Sequence, residues 1–137
     1  MIVVLDCNIL VMSLTSRSPY HLIYQRLIEG GFDIAITNEI LLEYEEIIQL
    51  KYGNSTASTF LSLVNELPNV HHTIVYYKWL LMETDPDDNK YVDCAIASKA
   101  NFIVSEDRHF NALDQISFPE VKNISIDVFL ETLKTIK

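Results

Sequence analysis

Hydrophobic and polar positions alternate along the chain in a way that predicts strands and helices in turn. Met1 to Leu5 is an unbroken apolar run rich in Val and Ile, the pattern of a strand covered on both faces. Ser18-Pro19 opens a helical stretch, with Ser as N-cap and Pro at the first helical position; Tyr20, Ile23, Tyr24, Leu27 and Ile28 recur at helical spacing up to Gly30-Gly31. Phe32 to Ile36 predicts a second strand, and Thr37 or Asn38 caps a helix whose apolar side carries Ile40, Leu41, Tyr44, Ile47 and Ile48. Ser55 to Leu67 predicts another helix and ends before Pro68, while Val70 to Tyr77 is β-prone. Thr84-Asp85-Pro86-Asp87-Asp88 forms a turn with N-cap chemistry. It introduces a helix that turns Tyr91, Val92, Ala95, Ile96 and Ala100 inward. Phe102 to Ser105 predicts a strand, His109 to Leu113 a short helical turn, Ile124 to Ile126 a last strand, and Asp127 to Ile136 a closing helix. Strands alternating with helices imply βαβ units. The expected fold is therefore a three-layer α/β/α arrangement around a mostly parallel sheet of four or five strands. Such sheets bind ligands beyond the carboxyl ends of their strands, which says where chemistry belongs.

The length of 137 residues suits a single domain spanning 1–137, with no linker, repeat or low-complexity segment. Apolar residues make up 49% of the chain, which excludes a disordered protein. No apolar run approaches the roughly 20 residues of a membrane span. The first residues lack Lys or Arg ahead of their apolar stretch, and Asp6 interrupts it, unlike a signal peptide. With Cys7 and Cys94 widely spaced, the expectation is a reduced cytoplasmic protein. Ten basic residues stand against 19 acidic ones, a formal charge of −9. That balance argues against nucleic-acid binding through a basic face. It also admits a sharper reading, in which carboxylates gather to hold divalent cations and reverse the local sign.

Position favours the sharper reading. Asp6 ends the first strand and Asp107 a later one, both where a parallel sheet places its working groups. A carboxylate directly after a buried strand is costly without a partner. Asp85, Asp87 and Asp88 start the long helix, where they also serve as turn and cap residues. Asp93 lies on that helix, and Glu43 falls beside the apolar stripe of its own helix while Glu45 and Glu46 face solvent. Acids converging on one sheet edge repel unless cations join them, and hard oxygen ligands select Mg²⁺ or Mn²⁺ over zinc. Open carboxylate sites of this kind support metal-assisted phosphodiester cleavage.

Four segments in this order resemble the PIN-domain family, specifically its VapC-like toxins of toxin–antitoxin systems. They are Val3-Val4-Leu5-Asp6-Cys7-Asn8, Ile40-Leu41-Leu42-Glu43-Tyr44, Asp85-Pro86-Asp87-Asp88-Asn89-Lys90 and Ile103-Val104-Ser105-Glu106-Asp107. The resemblance implies that Asp6, Glu43 and Asp107 are the first, second and fourth catalytic, metal-holding acids. Many PIN domains carry Asp where this chain has Asn89, so Asp88 takes the third place, with Asp93 in support. Asn8 would hydrogen-bond the Asp6 carboxylate or a metal-bound water, and Ser105 would do similar service for Asp107. The resemblance further implies an Mg²⁺- or Mn²⁺-dependent endoribonuclease that hydrolyses single-stranded or loop RNA with metal-activated water, is neutralised by an antitoxin protein, and forms a homodimer. Lys90, Lys99, Arg108 and His109 would supply the basic rim, Lys90 and Arg108 binding substrate and His109 remaining a surface residue.

Competing readings are a haloacid-dehalogenase-type phosphotransferase, which expects Asp-x-Asp where this chain has Asp6-Cys7-Asn8, and a response-regulator receiver, whose paired early acids and late Lys are absent. A catalytically weak PIN-like binding module, acting through a protein partner, is the alternative that Asn89 keeps open. His71-His72 lacks the spaced partners of a zinc site, Asp6 raises rather than lowers the Cys7 thiol pKa, and Cys94 belongs to the core. Tyr76, Tyr77 and Trp79 could stack bases but read first as core or interface residues.

Overall fold

A computed structural model describes residues 1–83 and 85–136. Thr84, the first residue of the expected aspartate-rich turn, lies outside them. Five parallel strands form one sheet: β1 (Ile2–Leu5), β2 (Asp33–Ile36), β3 (Val70–His72), β4 (Phe102–Val104) and β5 (Asn123–Ile124), in the spatial order β3-β2-β1-β4-β5. Val3 pairs with Ile34 on one side and Phe102 on the other, and Leu5 pairs with Val104. The chain winds outward from β1 to β3, then returns to place β4 on the opposite flank of β1. Such a reversal opens a crevice between the carboxyl ends of β1 and β4.

Helices α1 (Cys7–Ser13), α2 (His21–Glu29), α3 (Asn38–Tyr52), α4 (Asn54–Glu66), α5 (Asn89–Ser98) and α6 (Ile126–Thr135) flank the sheet, completing an α/β/α sandwich. Short 3-10 segments cover Pro86–Asp88 and Arg108–Gln115. None of the helices among the described residues is long and apolar enough to cross a membrane.

Several boundaries differ from the sequence pattern for local reasons. Helix α1 follows β1 after a single residue, since the amides of Ile9 and Leu10 both bond back to the Asp6 carbonyl. Ser18 does not cap a helix directly. Its hydroxyl accepts from the Tyr20 amide in a turn, and α2 begins at His21. The β-prone run from Val70 forms a ladder only to His72, because β2, its sole partner in the sheet, ends at Ile36.

Val3, Val4, Leu5, Ile34 and Ile103 are fully buried, as a strand covered on both faces requires. Phe129 of α6 meets Phe32 and Phe102 edge-on, at centroid separations of 5.1 and 6.1 Å. Helix α3 carries Glu43 and is fixed at both levels. The Thr37 hydroxyl caps its start by accepting from the Ile40 amide at 3.2 Å, and the buried Tyr44 hydroxyl donates to the Leu5 carbonyl one residue before Asp6. Thr37→Ala should lower the unfolding free energy by about 1 kcal/mol, read as a lower urea midpoint with unchanged slope.

Candidate metal centre

Asp6 emerges from β1 with its amide bonded to the Val104 carbonyl at 3.0 Å, which locks it to the end of β4. Its side chain is buried and accepts a hydrogen bond from the Ser105 hydroxyl at 2.9 Å. Burial pushes the Asp6 carboxyl pKa up, as do Glu43 and Asp107 nearby. The Ser105 hydroxyl and the Cys7 amide pull in the opposite direction, and burial prevails. Ser105 therefore orients the Asp6 carboxylate, not that of Asp107; toward Asp107 it only accepts the backbone amide, at 3.0 Å. Asp107 in turn caps the following 3-10 turn through the His109 amide at 2.9 Å.

Asp85, Asp88, Asp107 and His109 each offer a ligand atom within 4.8 Å of the others. The His109 Nδ1 lies 3.2 Å from Asp107 Oδ1 and 3.6 Å from Asp85 Oδ2. Neither Asp85 nor Asp88 makes the side-chain cap hydrogen bond that would explain it as a helix-start residue. Asp88 Oδ2 is sealed from solvent with no hydrogen-bond partner. Burial, followed by the carboxylates of Asp85, Asp107 and Asp6, raises the Asp88 pKa to about 8. An acid protonated in the folded state and ionised in the unfolded state binds more protons when folded, so stability falls as pH rises between the two pKa values. In chelator, the melting temperature of the wild type should therefore drop relative to Asp88→Asn between about pH 4 and pH 8. Parallel curves across that window would count against a strained Asp88.

Glu43 reaches the crevice from α3, close enough to raise the Asp6 pKa, but it lies outside the four-residue cluster. The Tyr91 hydroxyl donates to Glu43 Oε1, and Lys90 Nζ sits 2.9 Å from Oε2. Lys90 also pairs with Asp87 at 3.1 Å, and its side chain is only 6% exposed. Burial disfavours its charge, yet the bonds to Glu43 and Asp87 outweigh that and raise its pKa. Lys90 thus differs from the expected substrate rim, because its charge is already shared between two acids. Lys99 differs too: it caps the far end of α5, ten residues from Asn89 and about 15 Å along the helix axis. Arg108 is exposed beside Asp107 and has no ion pair among the described residues.

Asp93 and Asn89 face elsewhere. Asp93 is buried and accepts the Trp79 amide at 3.0 Å, while Asn89 holds both backbone groups of Met82, accepting at 2.8 Å and donating at 3.4 Å. Both residues anchor the extended segment 79–82 to α5. Asn8 is exposed and makes no side-chain hydrogen bond to Asp6 among the described residues. Cys7 is no nucleophile: burial first, then Glu43 and Asp6, push its thiol up to about 12.

Two members of the cluster escape a reading of the sequence alone. Asp85 looks like an ordinary turn residue, and His109 like a surface one. Only the meeting of a segment before α5 with one after β4 brings them together. The donor set suits a hard divalent cation. Two carboxylates and an imidazole lie around Asp88, whose Oδ2 is buried without a partner, and the repulsion among the three carboxylates is what a positive charge would relieve.

The comparisons agree with this geometry. The family model described as PIN domain matches residues 2–109. No curated protein matches the chain. A solved structure, the crystal structure of VapBC2 from Rickettsia felis bound to a DNA fragment from their promoter, is similar with a TM-score of 0.62 at 18% identity. The match covers 91% of this chain and 98% of that one. A β3-β2-β1-β4-β5 parallel sheet, acids at its switch point and a family match over most of its length together place this chain in the PIN-domain family.

Proposed function

We propose that this PIN domain is an Mg²⁺- or Mn²⁺-dependent endoribonuclease of the cytoplasm and the toxin of a toxin–antitoxin pair. The observation that carries the reading is the convergence of Asp6, Asp88 and Asp107 on one crevice, where Asp107 raises the pKa of Asp6, both raise that of Asp88, and Glu43 adds to the field from α3. In this reading Asp6, Asp88 and Asp107 hold the cation with Asp85 and His109 beside them, and Glu43 completes the acidic ring. When bound, the dication supplies Lewis acidity at a phosphodiester and lowers the pKa of water near neutrality.

The remaining work falls to the chain's own groups. The Ser105 hydroxyl fixes which Asp6 oxygen turns into the crevice. Tyr91 and Lys90 hold Glu43 in one rotamer, and the Lys90 ammonium offsets part of its charge. Arg108, exposed next to Asp107 in the chain, would meet a phosphate of the substrate in this reading. Asn89 is occupied with Met82, so an amide at this position does not dilute the acid set. The VapBC2 neighbour, bound to a DNA fragment from its promoter, supports an antitoxin as the natural partner.

The test is cleavage of single-stranded RNA by pure protein, with Mn²⁺ against chelator. Cleavage only with the cation supports the reading. Equal cleavage in chelator, or none with Mg²⁺, Mn²⁺ and varied RNA, overturns it.

A further inference from the structure

An RNA-cutting protein with a formal charge of −9 lacks the usual source of affinity, phosphate neutralisation by a basic surface. Aromatic stacking on the bases is the other large term available for single strands. The extended segment after β3 presents such groups in solvent. Tyr76 is 90% exposed and Tyr77 65%, and Phe118 from the loop before β5 is 81% exposed. Trp79 joins them: its ring lies 4.7 Å from Tyr77 and 6.0 Å from Phe118, both edge-to-face. Such packing holds the rings in place while Tyr76, Tyr77 and Phe118 remain largely in solvent.

The cluster is anchored as well as exposed. Asp93 grips the Trp79 amide, and Asn89 grips Met82 three residues on, so the first two turns of α5 fix the segment that carries the rings. A cavity of about 230 Å³ and a smaller one of about 180 Å³ flank this segment, and both are lined by Glu39, Lys78, Lys90 and Asp93. Both cavities touch Lys90, the residue that holds Glu43, and Asn89 directly follows Asp88, so the anchored segment approaches the acidic crevice at Met82. Lys78 is exposed between Tyr77 and Trp79 and makes no ion pair among the described residues.

We infer that Tyr76, Tyr77, Trp79 and Phe118 form a base-stacking platform for single-stranded RNA, which holds unpaired nucleotides flanking the phosphate at the acidic crevice. The inference rests on the nuclease reading for its occupant, but binding tests it separately from cleavage. A paired duplex hides its base faces, so the platform selects single strands. Affinity that comes from stacking also depends weakly on salt, unlike affinity built on many phosphate contacts.

Trp79 is the only tryptophan in the chain, so its fluorescence reports directly on the platform. The experiment titrates the Asp6→Asn protein, which leaves RNA uncut, with single-stranded oligoadenylate and with a duplex RNA, and repeats both with Tyr76→Ala and Phe118→Ala added. Both added substitutions lie at exposed positions, and circular dichroism verifies their fold. Quenching by the single strand alone is expected, with affinity lower by roughly 5- to 100-fold for each stacked base lost. Quenching in a protein whose wild type fails to cut RNA would keep the platform and remove the nuclease. No quenching, and an unchanged KM for cleavage when Tyr76→Ala and Phe118→Ala are placed in the wild type, overturns the platform and leaves the nuclease standing. Loss of a dimer in those variants, without RNA-dependent quenching, also overturns it and assigns the patch to self-association.

Discussion

Asp6→Asn should reduce metal-dependent RNA cleavage by more than about 100-fold, the upper end of what outer-shell partners of a bound metal cost. The same substitution should leave the fold intact. Asp6 is buried beside Glu43 and Asp107, so its negative charge opposes folding when no cation is present. An amide keeps the size of the side chain and an oxygen to accept the Ser105 hydroxyl. Without metal, the variant should melt at or above the wild-type temperature. With Mn²⁺, the wild type should gain stability by mass action and the variant should gain much less. Calorimetry with and without Mn²⁺ checks both halves, and an RNA assay on the same samples checks the rate. Wild-type activity in the Asp6→Asn protein would remove Asp6 from the chemistry. A variant that melts far below the wild type would instead make Asp6 a structural residue bonded to Ser105. Asp107→Asn separates the two roles further, because Asp107 also caps the turn that carries His109.

The parts of this site legible in the sequence are those where one local signal suffices. An apolar run followed at once by an acid puts Asp6 at a strand end, Asp107 follows β4 by three residues, and the parallel-sheet rule sets both at one edge. The helical stripe of Ile40, Tyr44 and Ile48 put Glu43 beside buried positions. Legibility ends where pairing decides. Nothing local to Lys90 shows that Glu43 and Asp87 engage its charge, since Glu43 lies 47 positions earlier in the chain. His109 and Asp85 read as surface and turn because they meet only after β4 has crossed to the far side of β1. Helix α1 was hidden for a different reason. Ile9, Leu10 and Val11 continue the apolar run of β1 without Gly or Pro to punctuate it, and only Asp6 marks the change. The partnerships of Asn89 and Asp93 were equally out of reach, because their targets are backbone groups of a segment with no periodic pattern.

Those partnerships turn the choice of third acid into a measurable contrast. Asp88 and Asp93 are five residues apart on the same stretch of chain, but their surroundings differ. Asp88 is pressed by Asp85, Asp107 and Asp6 and has a buried oxygen with no partner. Asp93 already accepts a hydrogen bond from Trp79 and lies near Lys78, whose positive charge favours its ionised form against the dominant effect of burial. Asp88→Asn should therefore weaken Mn²⁺ binding by at least about 10-fold and, in chelator near pH 8, raise the melting temperature by relieving repulsion. Asp93→Asn should leave Mn²⁺ affinity within about 2-fold, because its carboxylate points to a backbone amide and not into the crevice; an outer-shell metal partner would cost at least 10-fold. Its cost should fall on stability and on the fluorescence of Trp79. Removing the charge weakens a buried hydrogen bond to an ionised acceptor, worth about 1.5–3 kcal/mol when intact. Isothermal titration with Mn²⁺ and urea unfolding on both variants decide the matter. If Asp93→Asn abolishes metal binding while Asp88→Asn retains it, the centre lies on the other side of α5, and the cluster of Asp85, Asp88, Asp107 and His109 is a strained surface network without a cation to hold.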